Sequence, residues 1–401
     1  MADTNRNKLF ALPFLSLLIY AIAGTLVGPT IDYLSTFSLA LYGLQIAFLS
    51  SAVFIGISIS SLVAGRIADR YGFGRVLSLA PVFLALAAVV LYFASDFLSY
   101  SAGFILIGVC GGIIQSSANP LVSQLFPEKK GAALSTLHIA WSLGAFAGPM
   151  LAGLFFARRM FREPFLVIIL LSIAFLFFTQ LFRARLRNVQ NGGRGNEPAK
   201  PQKDVEAKSG KKTFSLKLAV LILIAFFYWG SEQSINMWLV VYLHVGASLD
   251  SFLSSMTLAL FWASMGIGRI VIGPFADRVG MRKMMLLLGI IGSVALLLNY
   301  VSAGYALVAD WCIIGFIYSV IFPGIMALAY EAFPESAGTA IGAVLTFGVF
   351  GGIIMPAAIG ILVMLTGAGA AITVITANLM LMCVFVYVLG VEGKAGESKV
   401  T

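Results

Sequence analysis

Gly65-Arg66-Ile67-Ala68-Asp69-Arg70-Tyr71-Gly72-Phe73-Gly74-Arg75 returns later in the chain as Gly273-Pro274-Phe275-Ala276-Asp277-Arg278-Val279-Gly280-Met281-Arg282-Lys283, with Asp69 and Asp277 208 residues apart. A second stretch repeats independently. Phe126-Pro127-Glu128 through Gly131, Pro149 and Gly153 returns as Phe333-Pro334-Glu335 through Gly338, Pro356 and Gly360, each pair 207 apart. Two matches that differ by one residue of drift make this 401-residue chain a duplication of one long unit.

Each unit has the composition of a membrane protein. The chain is 60% hydrophobic and 11% charged, with a mean hydropathy of +0.98, values outside the range of ordinary soluble domains. Apolar stretches of helix length follow one another at 9–32, 43–65, 74–95, 99–122, 132–157, 164–183, 214–243, 252–275, 282–302, 304–330, 337–363 and 367–391. The first is too long for a signal-peptide core and is read as a true span. The expected fold is therefore all-α: twelve transmembrane helices in two pseudo-symmetric six-helix bundles, residues 1–183 and 214–401. Residues 184–213 carry Arg185, Arg187, Arg194, Lys200, Lys203, Lys208, Lys211 and Lys212 among Gly, Asn, Pro and Gln, and read as a flexible basic linker.

Lysine and arginine set the expected orientation. Of 26, Arg158, Arg159 and Arg162 fall in an odd-numbered loop and Arg269 inside a span; the other 22 share the side of both termini and the linker. That side is expected to be cytoplasmic, in a multi-pass protein of the cell membrane. The net charge of +9 then reports topology, and a nucleic-acid partner is not implied. Cys110, Cys312 and Cys383 lie scattered in spans and read as small hydrophobes. With only His138 and His244 and no Cys/His cluster, no structural metal and no cofactor beyond a coupling Na⁺ or H⁺ is expected.

Two repeated bundles suit a secondary transporter, with its substrate at the midplane between halves that rock against each other. No GxxxxGK[ST] stretch is present and the linker is too short for a nucleotide domain, so energy comes from a gradient or transport is passive. An ion channel usually builds its pore by oligomeric symmetry, whereas a duplicated monomer fits alternating access better.

The doubled GxxADRxGxxR loop resembles the signature of the major facilitator superfamily, and the resemblance extends over essentially the whole chain. It implies the fold of that family. Gly65, Asp69, Arg70, Arg75, Asp277 and Arg278 are then candidates for a conformational latch, with the aspartates pairing nearby arginines or capping helices. The alternative is that they only shape the loops.

Polar groups at membrane depth are costly and are candidates for function. Thr25, Gly28, Pro29 and Asp32 share one face of the first span, where Pro29 weakens the helix; Asp32 is either a coupling residue or an exposed helix end. Glu232 lies well inside the seventh span with Gln233 beside it and Asn236 one turn on. A carboxylate there must hold a cation or a proton, or be met by donors. Gln115 and Asn119 share a face of the fourth span, and His138, Trp141 and Ser142 form a stripe on the fifth. Amides and hydroxyls beside an indole are what a sugar needs, and Trp238 and Trp262 can add to such a surface. Arg269, near the end of its span, can snorkel or pair; the lack of a central cation favours a neutral or cationic substrate.

Ile114-Gln115-Ser116-Ser117-Ala118-Asn119-Pro120 resembles the fourth-helix motif of the fucose permease group of sugar–cation symporters, E-T-A-A-N-P. Gly28-Pro29-Thr30 with Asp32, and Gly230 with Glu232 and Trp238, resemble its sodium-dependent glucose transporter branch. The resemblance implies symport of a hexose-like sugar with Na⁺ or H⁺. Gln115 stands where that motif has a glutamate, and Gly28 where its first helix is acidic. Coupling would then fall to Glu232 and Asp32, with Thr25 beside the latter. The expected protein is a monomer surrounded by lipid that moves a small sugar. The runner-up is a proton-driven exporter of lipophilic or cationic compounds, followed by a non-transporting sensor. No nucleophile–base pair suggests an enzyme.

Overall fold

The computed structural model describes residues 2–38, 44–126, 128, 130–192, 216–333 and 337–397. Among them every regular element is helical. Twelve helices are long and apolar enough to cross a membrane: α1 (Leu9–Thr36), α2 (Leu44–Tyr71), α3 (Phe73–Phe93), α4 (Phe97–Leu125), α5 (Thr136–Phe156), α6 (Glu163–Gln180), α7 (Leu216–Gly246), α8 (Ser251–Ile272), α9 (Met281–Leu298), α10 (Tyr305–Ala332), α11 (Ala340–Thr366) and α12 (Ala370–Gly390). Helix α6 runs on to Gly192, so the first residues of the expected linker, 184–192, are helical. The arginines and leucine there are good helix formers, and nothing in that stretch stops the turn. Residues 193–213 of the linker lie outside the described residues, as do Pro127, Pro334, Glu335 and the side chain of Asp277.

In a bilayer the hydrophobic effect no longer draws helices together, so close packing at small residues does the work. The duplication is visible in which residues do it. Gly108 of α4 packs on the Val53 carbonyl of α2, and Gly315 of α10 packs on the Phe261 carbonyl of α8. Gly144 of α5 meets the Leu18 carbonyl of α1, and Gly351 of α11 meets the Phe226 carbonyl of α7. Each glycine pair is offset by 207 residues and each carbonyl pair by 208, the two offsets read from the sequence. A Cβ at any of these glycines would strike backbone, which cannot move aside.

The signature loops repeat as well. Gly72 and Gly280 take φ of 95° and 90°, a region closed to most residues with a Cβ, and each ends one membrane helix and starts the next. At the opposite face, α1 closes in a π-helical turn at Leu34–Ser38 and α7 in one at Tyr242–Gly246. Within the first half α1 packs on α5 and α2 on α4, and in the second α7 packs on α11 and α8 on α10. The halves meet through α5 on α8, α2 on α11, and the end of α1 on α7. Helices α3, α6, α9 and α12 form the outer ring: α3 packs on α6, α9 on α12.

Candidate functional site

Between the halves lies a cleft lined by Tyr20 and Gly24 of α1, Val53, Phe54 and Ile57 of α2, Gln115 of α4, Trp141 of α5, Trp229, Gln233, Asn236 and Met237 of α7, and Val349 and Gly352 of α11. Its volume is ≈ 70 Å³, well below the roughly 300–1,000 Å³ typical of small-solute sites, so a solute of sugar size needs the walls to part further. Among the described residues, no ionisable group stronger than a phenol lines it. Its polar side chains include three amides and the Tyr20 hydroxyl, and its flat surfaces are the indoles of Trp141 and Trp229 with the ring of Phe54.

Trp141 is held by aromatic contacts from both halves. Its ring centre is 5.8 Å from that of Tyr20 and 6.1 Å from that of Trp262, the latter edge-on at 79°. Gly348 lets the Trp229 ring lie against α11. Asn236 donates from Nδ2 to the Gly24 carbonyl at 3.4 Å, across the two halves, while its Oδ1 is buried without a partner. An unpaired buried acceptor beside a cleft is a group waiting for a donor.

Glu232 sits directly behind this wall. It is 7% exposed, accepts from the Tyr228 hydroxyl at 2.5 Å and from Gln233 Nε2 at 3.2 Å. Gln233 therefore faces the cleft while holding the carboxylate. Of the two expectations for Arg269 of α8, snorkelling or pairing, the structure shows the second, with the side chain reaching inward. It donates to Ser142 Oγ of the other half at 3.4 Å and to Met265 Sδ at 3.5 Å. Its charge acts on Glu232, Tyr228 and His138. Its Nε has no partner. The side chain is long enough to bring a guanidinium from the helix toward the centre, so the expectation of no central cation does not hold.

Of the residues singled out from sequence, Gln115, Trp141, Gln233 and Asn236 line the cleft. Asn119, His138 and Ser142 do not; His138 packs edge-on against Phe322, and Ser142 is spanned by Gly266 and Arg269. Trp238 is turned away, donating from Nε1 to the Pro356 carbonyl at 2.9 Å, and Trp262 supports Trp141 from behind. Thr25 gives its hydroxyl to the Ala21 carbonyl of its own helix at 2.8 Å. Asp32 is no exposed helix end: it is 1% exposed and meets His244 of α7, whose Nδ1 lies 2.9 Å from Oδ2 and 3.1 Å from Oδ1. Sequence reasoning passed over Tyr20, Trp229, Tyr228 and His244. Trp229 and Tyr228 directly precede the Gly230–Glu232 stretch, and Tyr228 stands one turn before Glu232, so both were within reach of the same face argument.

On the side away from the termini the halves are in contact. Gly28 meets the Asn236 carbonyl, Gly360 meets Ala47, Gly153 meets Ser255 and Phe252, and Ser51 donates to the Ile353 carbonyl at 2.7 Å. On the side of the termini Gly65 faces open space and Gln115 is exposed. Asp69, Arg70, Arg75 and Arg278 are exposed there, and none makes an ion pair among the described residues; the Arg70 guanidinium lies 5.5 Å from the centre of the Tyr71 ring. The cleft thus opens toward the termini and is shut at the far face.

A sequence model of the Major Facilitator Superfamily matches residues 13–356 and, in a second placement, 249–400. Among curated proteins, the chain is 25% identical over 334 residues to the cis,cis-muconate transport protein of Acinetobacter baylyi, covering 79% of this chain and 78% of that one. It is 25% identical over 404 residues to Protein TsgA of Escherichia coli, covering 96% and 95%. Among solved structures, the inward-open xylose transporter XylE of E. coli superposes with a TM-score of 0.75 at 14% identity, over 95% of this chain and 96% of that one. The nucleoside transporter NupG gives 0.73 at 15% identity, over 96% and 99%. At such identities these likenesses speak to fold alone.

Proposed function

Because the chain belongs to the Major Facilitator Superfamily and is a multi-pass transporter of small molecules, we propose that its cargo is a neutral, hydroxyl-rich solute of sugar size, carried by cation symport. The observation that carries this reading is the cleft wall. Gln115, Gln233, Asn236 and Tyr20 offer hydrogen bonds that both donate and accept, and Trp141 and Trp229 offer flat apolar faces. Hydroxyls need the first and ring C–H groups the second.

Glu232 is the cation site in this reading. A solute that recruits the Gln233 amide competes for a donor that otherwise serves Glu232. Cargo and carboxylate are then linked through one side chain, and a proton or Na⁺ supplies the missing partner. With the Lys/Arg-rich side taken as cytoplasmic, the cleft opens inward, and opening to the outside requires the contacts at the far face to part. Labelled hexoses, pentoses and nucleosides in proteoliposomes under separate Na⁺ and pH gradients test the reading. Accumulation of a neutral sugar under one gradient, with KM raised about fivefold in Trp141→Ala, supports it; no sugar uptake under either removes it.

One observation favours a second reading, carriage of a carboxylate. The Arg269 guanidinium lies inside the protein, keeps Nε unpaired and acts on Glu232. A relative's name specifies muconate. Inclusion of a labelled dicarboxylate in the same screen separates the two: uptake lost in Arg269→Gln and no sugar uptake would select it.

A further inference from the structure

A second cavity lies within the second half, on the side of the termini and beside the second signature loop. It measures ≈ 480 Å³, shares no lining residue with the cleft, and sits where the ends of α7, α9, α10 and α12 come together. Three cations line it: Lys217 in the first turn of α7, and Arg282 and Lys283 in the first turn of α9. Glu331, at the end of α10, is the one acid among the described residues of the lining. None of the four makes an ion pair among the described residues. Three positive charges against one negative leave the lining a formal charge of +2.

The confinement of Lys and Arg to one side of a membrane accounts for their number there but not for this arrangement. Arg282 is half-buried, and its guanidinium lies directly on the backbone of α12 at Gly390, where a Cβ would strike it. The fold itself does not ask for these charges. In the first half the positions equivalent to Lys217, Arg282 and Glu331 are Leu9, Gly74 and Gln124; Lys283 alone keeps a charged counterpart, Arg75. Helix α9 adds to the attraction. Gly280 starts it with no side-chain cap, so the amides of its first turn, at residues of the same lining, stay open to an anion.

We propose that this cavity binds a phosphate group, carried by a lipid headgroup of the adjoining leaflet or by a soluble phosphate ester. A guanidinium fork, two ammonium groups and open helix-start amides are the donors that a phosphate takes. A doubly ionised phosphate cancels the charge of +2. Val279 and Leu389 of the lining, with Leu216 nearby at 65% exposure, give an apolar side on which an acyl chain can lie. The phosphate then ties four helix ends of one half and none of the other. The site stands apart from the cleft, so the inference depends on neither the sugar nor the carboxylate reading.

The test uses the full chain in a non-ionic detergent at fixed pH and salt. Native mass spectrometry measures retention of phosphatidic acid and of phosphatidylcholine, and the melting temperature reports binding of inorganic phosphate. Phosphatidic acid should be held at one copy per chain, about tenfold or more tighter than phosphatidylcholine, and Arg282→Gln should weaken it about 10- to 100-fold. Arg282→Lys, which keeps the charge but not the fork, should recover part of the loss. Arg66→Gln removes an exposed cation of the same face, outside the cavity, and should leave the affinity unchanged. Inorganic phosphate separates the sources. If it displaces the lipid, or raises the melting temperature of the wild type and not of Arg282→Gln, the cavity takes soluble phosphates; if the lipid stays bound in its presence, the cavity takes headgroups. Phosphatidic acid held no tighter than phosphatidylcholine, with no response to phosphate, overturns the proposal. So does a loss in Arg282→Gln no greater than that in Arg66→Gln, which would mark diffuse attraction to a basic face. The comparison of the two lipids on the wild type stands even if a variant fails to fold.

Discussion

Trp141 and Trp229 face one cleft from different places in the repeat. Trp141 is on α5 and its equivalent on α11 is Gly348; Trp229 is on α7 and its equivalent on α1 is Ala21. Gly348 gives Trp229 its room, so one half's missing indole is the other half's clearance. Tyr20 and Tyr228 are equivalents too, yet Tyr20 lines the cleft and leans on Trp141, whereas Tyr228 donates to Glu232. The position equivalent to Glu232 is Gly24, whose carbonyl takes the Asn236 amide. Recognition is thus shared between halves that fold alike, while the two charged side chains behind the cleft wall, Glu232 and Arg269, both come from the second half. Duplication supplied a scaffold, and divergence at its facing surfaces divided the labour.

This division can be broken at its charged member first. Glu232→Gln keeps size and hydrogen bonding but cannot carry a charge, so gradient-driven accumulation in proteoliposomes should fall to background while exchange of solute across the membrane persists. Loss of both in a folded variant would place Glu232 in binding and not in coupling. Gln233→Ala removes the one amide that serves both sides, leaving a buried carboxylate short of a donor at a cost of about 1–3 kcal/mol. KM should rise roughly 10- to 100-fold and the coupling ratio should drop with it.

Smaller changes sharpen the comparison. Trp141→Ala should cost about 1 kcal/mol in solute affinity, with Trp141→Phe recovering most of it, as read by transport KM. If Trp229→Ala has no effect while Trp141→Ala does, recognition lies in the first half alone. Smallest is Ser51→Ala, which removes the bond to the Ile353 carbonyl between α2 and α11. At about 0.6 kcal/mol for a hydrogen bond between membrane helices, the far-closed population should fall by a factor of about 2–3, read from the distance between spin labels at the exposed far-face positions Leu98 and Val301.

The fold was legible because two offsets, 208 and 207, recur across four hundred residues, and because apolar runs of bilayer length need no tertiary information to recognise. The site was legible where polar groups stood out at depth, as at Gln115, Gln233 and Asn236. Aromatic residues carried no such contrast. In a chain with 32 phenylalanines, 13 tyrosines and 5 tryptophans, nothing local separates Tyr20 and Trp229, which face the cleft, from Trp238, which faces the Pro356 carbonyl. His244 was silent for another reason. Its partner is 212 residues away, and a pairing across two halves follows from how they dock and not from either helix's own pattern.

Gly28 and Asn236 are equivalents under the repeat and they touch, backbone to backbone. Two copies of one position can meet only close to the axis that relates the copies. The contact therefore marks the line about which the halves are exchanged, and it holds no side chain from α1 to be crushed or torn as they turn. Two helices that seal along their backbones in this way can part and meet again with no α1 side chain to unthread.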